Sequence, residues 1–503
     1  MTIESKQQQS TAEELDSLLT KLKPRILAYV DEADPKSSNY NPQSLGTFHE
    51  PKFLKQEFIQ EDASSSSSNA SSLDQPCTEG ELFETIDKVL KYSVNTWNPG
   101  FLDKLYASNN PIGVVSDILL SMLNTNSHVY TVSPVLSVLE NYIGKKYAKL
   151  FFDNETCGGL TFSGGSWSNI TSLQLARSLK YPDTKTKGNA GYKFALYTSK
   201  HCHYSVEKAA ILLGIGSDNV FKVAVDKDGV MDVGELEKVI EKTKSEGYTP
   251  LYINSTAGTT VFGSYDPFVE ISKVAKKYNV HFHIDGSWGG NVIFSRKYQD
   301  RLHGSAHADS ITVNPHKMLG IPNTCSFLLV PDVSHFQTAM SLKAPYLFHG
   351  RELGDDENYD LADGTMGCGR RSDAFKFYLA WLYYGQVGFE NRVDHAYGIM
   401  EYFVERIRDD GDFTIVGPTA PQCLQVCFYY HPPGVQGKDN TEITRYISRK
   451  LHKLGKYLVD FSPNADDDSL GEFFRVVFNS PTLTNEIVDD LIASIVEVGK
   501  ELK

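Results

Sequence analysis

The chain has 503 residues, 41% apolar and 22% charged, with 49 basic against 63 acidic side chains. That length allows a large core shared by two or three structural units, and the composition is that of a globular protein rather than a fibrous or disordered one. The net charge of −14 argues against nucleic acid or an anionic membrane as a partner, while leaving room for a local basic pocket around an anionic substrate.

The N-terminus lacks the charged-then-apolar pattern of a secretory signal, and no apolar run approaches the ~18 residues of a membrane span, so a cytoplasmic protein without membrane attachment is expected. The seven cysteines, at 77, 157, 202, 325, 368, 423 and 427, are never spaced Cys-x-x-Cys. They read as reduced, forming neither a disulfide frame nor a metal site.

In chain order, Thr11-Ala12-Glu13-Glu14 fits the cap of a first helix whose Leu15, Leu18, Leu19 and Leu22 share one face. The serine run within 61–74 cannot bury apolar area and reads as a mobile loop. A second amphipathic pattern, Glu81 to Leu90, completes an N-terminal helical segment over 1–94. Ser133-Pro134 opens a further helix, since proline is tolerated in a first turn. In Thr161-Phe162-Ser163-Gly164-Gly165-Ser166-Trp167, glycines lead into a helix, where free N–H groups attract a phosphate.

From Phe194 to Val330, strand patterns alternate with helical ones, the mark of a largely parallel sheet covered by helices. Val280-His281-Phe282-His283-Ile284 runs into Asp285 and then small residues. Ser310-Ile311-Thr312-Val313 is stopped by Asn314-Pro315, and His316-Lys317 follow. An aspartate and a lysine at the ends of two such strands lie where open α/β sheets carry ligands. They suit pyridoxal phosphate, which needs an amine for its aldehyde and an anion beside its ring nitrogen. Beyond this, Arg351 to Thr365 has the polar, glycine-rich composition of a lid. The part after about Tyr384 is α/β of another kind, with strands near 424–429 and 473–478 and a closing helix through Ile487, Leu491, Ile495 and Val498.

Asn314-Pro315-His316-Lys317 and His283-Ile284-Asp285-Gly286-Ser287-Trp288-Gly289-Gly290 resemble the signatures of the pyridoxal-phosphate group II decarboxylases. The similarity runs from about Asn95 to about Pro481 and is nearest to the branch acting on glutamate, cysteine sulfinate and aspartate. It implies an aspartate-aminotransferase-like fold of type I: a large domain over 95–384 with a mostly parallel seven-stranded sheet, and a smaller C-terminal α/β domain over 385–503. It also implies a homodimer with shared active sites.

By the same resemblance, Lys317 carries pyridoxal 5′-phosphate, Asp285 faces the ring nitrogen, and His203 stacks on the ring. Gly165, Ser166, Thr256, Asn314 and His316 complete the cofactor site. Tyr346 is the acid that protonates the carbon left by CO₂. Arg370 forks a substrate carboxylate, with adjacent Arg371 a rival; Lys104, where the family form has glutamine, and His128 tune the substrate. No metal is implied. The implied activity is decarboxylation of an acidic L-amino acid, glutamate to 4-aminobutanoate first, then aspartate to β-alanine or cysteine sulfinate to hypotaurine. The alternative is an aromatic amino acid decarboxylase or aldehyde synthase on the same scaffold.

Overall fold

The computed structural model describes residues 10–59, 73, 76–189, 191–342, 347, 358–418, 420–465 and 467–502. Tyr346, residues 351–357 of the expected lid and nearly all of the serine-rich run lie outside the described residues. The chain forms two compact units: residues 1–108, 405–414 and 428–503 make the first, and residues 109–404 with 415–427 the second.

In the first unit, the helix Thr11–Asp31 is capped by Ser10, whose side chain accepts from Glu13 N–H while Glu13 answers to the Ser10 backbone. Both Ser10 and Thr11 satisfy the Ser/Thr-x-x-Glu pattern, and the structure selects the earlier residue, correcting the expected start. Thr78 and Glu81 cap the helix Glu79–Tyr92 in the same way. The sheet here has five strands: β1 (Phe101–Leu102), β9 (Phe413–Val416), β10 (Gln425–Tyr430), β11 (Leu458–Pro463) and β12 (Glu472–Val477), in the order β1-β11-β12-β10-β9.

The second unit is built on a seven-stranded sheet of β2 (Gly158–Phe162), β3 (Phe194–Ser199), β4 (Val220–Val223), β5 (Thr249–Thr256), β6 (His281–Gly286), β7 (Ser310–Val313) and β8 (Ser326–Val330). The order is β2-β8-β7-β6-β5-β3-β4, parallel except that β8 runs against both of its neighbours. Every residue of β3, β6, β7 and β8 is buried. Such strands are covered on both faces, which is why β8, Ser326-Phe327-Leu328-Leu329-Val330, reads as a nearly continuous apolar run rather than an alternation.

Leu173 and Ala176 of the helix Gly165–Lys180, with Val206, Ala209 and Ala210 of the helix Ser205–Leu212, pack on Leu196, Val220 and Leu251. Each large aliphatic side chain so buried stabilises the fold by about 1.5–3 kcal/mol, and truncating Leu196 to alanine would cost about 2–5 kcal/mol. The register sets Thr256 against Asp285 and Asp285 against Thr312. The ends of β5, β6 and β7 therefore come level, and the residues that follow them meet at one edge. The long helix Asp373–Arg408 is interrupted at Gly385, where φ is +67°, a conformation that glycine adopts without a Cβ clash.

Candidate active site

A cavity of about 220 Å³ opens at the carboxyl ends of these parallel strands, lined by Gly165, Ser166, His203, Thr256, Asp285, Asn314, His316 and Lys317. Eight separately predicted residues thus meet in one place. Asn169, Tyr204, Gly258, Thr260, Ser287 and Trp288 also line it.

Lys317 sits in the turn after β7, its backbone N–H donating to Asn314 O at 3.1 Å. Asp285 ends β6, with Oδ1 accepting from Ser287 N–H at 3.0 Å and Oδ2 from Asn169 Nδ2 at 2.9 Å. Burial opposes its ionisation, but the hydrogen bond from Ser287 and the positive charge of Lys317 are among the interactions that outweigh that penalty and hold the carboxyl below its usual range. His203 is fixed at Nδ1, which accepts from Ser205 N–H at 3.2 Å, and burial holds its pKa down. Its flat ring lines the cavity. His316 is anchored through Nδ1 to the Cys325 backbone, and burial pushes it down to about 4.

These residues fit pyridoxal phosphate on grounds internal to the structure. Thr256 Oγ1 and Asn314 Oδ1 are buried without a hydrogen-bond partner, a costly arrangement unless a ligand supplies one. Gly164 has φ +100° and starts the helix Gly165–Lys180 without a side-chain cap. A Cβ at Gly165 would stand 2.6 Å from Ser287 Oγ and 2.7 Å from Asn314 Nδ2, so only backbone can approach here. An uncapped helix start with that clearance is a phosphate cradle.

Arg370, Lys104 and His128 are not among the residues that line this cavity. Arg370 is buried and internally committed: Nη1 donates to Ser127 O at 2.9 Å, Nη2 to Thr161 O at 3.1 Å, and Nη2 also forms an ion pair with fully buried Glu140. Glu140 Oε1 in turn accepts from Thr161 N–H at 2.8 Å. This is the geometry of an internal ion pair and departs from the expected substrate fork. Arg371 is about half exposed and pairs with Asp117 at 2.6 Å. Both arginines line a different cavity, of about 270 Å³, together with Trp167 and Met366. His128 is half-buried, with Nδ1 3.0 Å from Asn126 O. Lys104 belongs to the first unit, where its Nζ lies 3.0 Å from Asp460 Oδ2 and 3.3 Å from Asp103.

Sequence reasoning missed Arg475, which is ion-paired with the same Asp460 and donates to Asp103 O at 3.1 Å. Its signal was a lone arginine inside Phe473-Phe474-Arg475-Val476-Val477. It also missed Asn169 and His283, though His281, His283 and Asp285 recur at the two-residue spacing that places them on one strand face.

Residues 63–431 match the family described as the pyridoxal-dependent decarboxylase conserved domain. The chain is 43% identical over 508 residues, 99% of each chain, to the L-aspartate decarboxylase dtxS4 of Metarhizium robertsii (strain ARSEF 23 / ATCC MYA-3075). The crystal structure of mouse CSAD superposes with a TM-score of 0.86 at 30% identity, covering 98% of this chain and all of that one. The structure of Oryza sativa TDC with PLP and tryptamine gives a TM-score of 0.86 at 21% identity over 98% of this chain and 99% of that one, a likeness of fold.

Proposed function

This chain belongs to the pyridoxal-dependent decarboxylase family, and from that premise we propose that L-aspartate is its preferred substrate, decarboxylated to β-alanine. It is a pyridoxal-phosphate enzyme of the acidic amino acid class. The order glutamate, aspartate, cysteine sulfinate expected from the residues gives way to aspartate because the similarity to an L-aspartate decarboxylase spans both chains end to end. The carrying observation for the chemistry is the meeting of Lys317, Asp285 and the unpartnered Thr256 Oγ1 and Asn314 Oδ1 around one cavity.

Bound pyridoxal phosphate supplies an electrophilic aldehyde and an electron-accepting ring. Lys317 presents the amine that anchors it. The start of the helix Gly165–Lys180 would hold its phosphate. Asp285 would hold a negative charge toward the cofactor's ring nitrogen, and His203 would offer a flat ring for the cofactor to lie against. Tyr346 is proposed to pass its phenolic proton to the α-carbon after CO₂ leaves. In Tyr346→Phe, amine formation should fall further than CO₂ release; a variant that makes amine at the wild-type rate would remove Tyr346 from the mechanism.

The partner is proposed to be a second copy of the chain, with sites shared between protomers. In support, Val115, Ile118 and Met122 of the helix Pro111–Leu123 and Val135 and Tyr142 of the helix Pro134–Ala148 are left 48–66% exposed. An apolar surface of that kind marks an association site. Light scattering should report a dimer; an active monomer would refute it.

A cytosolic location is proposed on the seven cysteines, all of them free. Fractionation that finds the protein in a secreted or membrane fraction would overturn it. Among the described residues, no helix is long and apolar enough to cross a membrane. The substrate assignment is tested by measuring amine formation from L-aspartate, L-glutamate, L-cysteine sulfinate and the aromatic amino acids. A higher kcat/KM for any of the others than for aspartate would overturn it.

A further inference from the structure

Behind the cavity, a chain of buried polar groups runs away from Asp285, and its proton positions can be deduced one at a time. An ionised carboxylate only accepts hydrogen bonds, so the Asn169 group facing Asp285 Oδ2 at 2.9 Å is its Nδ2 amide nitrogen. The same nitrogen donates to Ser205 Oγ at 2.9 Å. Asn169 Oδ1 then faces His283 Nε2 at 3.2 Å and must accept, which puts the imidazole proton on Nε2. Thr312 Oγ1 stands at the edge of reach of the same nitrogen, at 3.5 Å.

His283 Nδ1, left bare, accepts the Ser310 hydroxyl proton across 2.8 Å. With that proton spent, Ser310 Oγ accepts from His281 Nε2 at 2.9 Å. Every donor in the series His281, Ser310, His283, Asn169 points toward Asp285. Hydrogen bonds aligned head to tail polarise one another, so a proton at the far end strengthens the last bond to the carboxylate.

The chain is sealed from water: His283 and Ser310 are fully buried, and His281, Asn169 and Asp285 are at most 4% exposed. Both imidazoles stack on the Tyr252 ring, at 5.6 Å and 5° for His281 and 5.5 Å and 21° for His283, which fixes their planes. Burial pushes His281 down to about 4 and lowers His283 as well, so each ring is neutral and carries the single proton that the deduction requires. At the outer end, His281 Nδ1 lies 3.9 Å from Asp309 Oδ2.

We propose that Asn169, His283, Ser310 and His281 are positioning residues, a one-way donor chain that holds Asp285 ionised and correctly turned toward the cofactor's ring nitrogen. This rests on the reading of Asp285 as the partner of that nitrogen. The alternative is that these groups merely satisfy one another and would leave the cofactor indifferent to their loss.

Apoprotein titrated with pyridoxal phosphate and with 1-deazapyridoxal phosphate, which lacks the ring nitrogen, separates the two. Wild type should prefer the natural cofactor. His283→Leu should lose about 10- to 100-fold of that preference, the scale of a lost hydrogen bond to a charged group. Ser310→Ala, which removes one hydroxyl three hydrogen bonds from Asp285, should lose a smaller part of it, and His281→Phe, which keeps the stack on Tyr252, less again. Affinity for the deaza analogue should stay within about twofold throughout, because the chain has nothing to address there. His283→Gln, which can still donate to Asn169, should recover part of the preference.

If wild type binds both cofactors equally, the Asp285 reading itself falls. If wild type discriminates and all three variants discriminate equally well, the donor chain is refuted while the Asp285 reading stands. Should His283→Leu not fold, Ser310→Ala and His281→Phe decide the matter alone.

Discussion

Two buried charges in the second unit have opposite surroundings. Arg370 and Glu140 close on each other, with Ser127 O, Thr161 O and Thr161 N–H taking up further bonds. Asp285 is as deeply buried, yet beside it Thr256 Oγ1 and Asn314 Oδ1 are left without partners around a cavity of about 220 Å³. A buried polar group that the chain completes by itself is architecture, and one that it leaves incomplete is a site for something the chain does not supply. On that comparison we propose a chemical role for Asp285 and an architectural one for Arg370.

The largest effect should come from the open site. Lys317→Ala should remove the visible absorbance of the lysine-bound cofactor and reduce turnover below detection. Borohydride reduction of the wild type followed by peptide mapping should label Lys317. A label on a different lysine would break the comparison, because the cavity would then not be the reacting one.

The closed site gives the next largest. Arg370→Ala strands the Glu140 charge and should cost about 3–5 kcal/mol of stability. The double variant Arg370→Met, Glu140→Leu should recover most of that loss, since apolar groups of similar size can replace a buried pair. If Arg370 is architectural, the stable double variant keeps its kcat/KM for L-aspartate. A stable double variant that binds cofactor but has lost acidic substrates would restore the substrate-fork reading.

What the sequence made legible divides along the same line. Strands β6 and β7 carry local signals, an apolar run ending in Asp285 and a β-branched run ending at Asn314-Pro315, and both formed close to their expected places. The internal role of Arg370 has no local signal: Gly369-Arg370-Arg371 says nothing about Glu140, 230 residues away in sequence. The pairing of β1 with β11, Phe101 against Leu458, is equally silent, because a two-residue strand has no periodicity to read. His281, His283 and Asp285 were legible in principle, as polar groups on one face of a strand otherwise built for burial.

A third buried charge lies between the two types. Asp266 accepts from Met231 N–H at 2.9 Å and from Thr256 N–H at 2.7 Å, which pins the strand end beside the cavity. Burial raises its pKa to about 7 against the pull of those two bonds. A folded-state pKa above the unfolded value of about 3.9 means stability that is complete below about pH 4 and lost as pH rises through about 7. His281 and His283 act in the opposite sense: their lowered values contribute stability above about pH 6.5 that is lost in acid. Asp266→Asn should therefore gain on the wild type by about 2–3 kcal/mol between pH 5 and pH 8. Parallel denaturation curves for the two proteins across that range would show that Asp266 does not titrate there.

The smallest effect on stability belongs to Lys104, and it tests the comparison from the exposed side. Its Nζ is paired with Asp460 and Asp103, but the side chain is 49% exposed, so water screens the pair. Losing it should cost no more than about 1 kcal/mol. Burial opposes its charge, yet Asp103 and Asp460 outweigh that and raise its pKa, so it stays a cation at any working pH. Arg475, 6% exposed and on the same Asp460, keeps a second cation beside it. Lys104→Gln, which installs the residue expected from the family form, should leave cofactor binding and the thermal midpoint nearly unchanged. It should alter the ranking of aspartate, glutamate and cysteine sulfinate more than the best rate, because a cation and an amide differ chiefly in how they meet a side-chain anion. An unchanged ranking would confine Lys104 to its ion pairs, and substrate choice would then have to be sought in other residues.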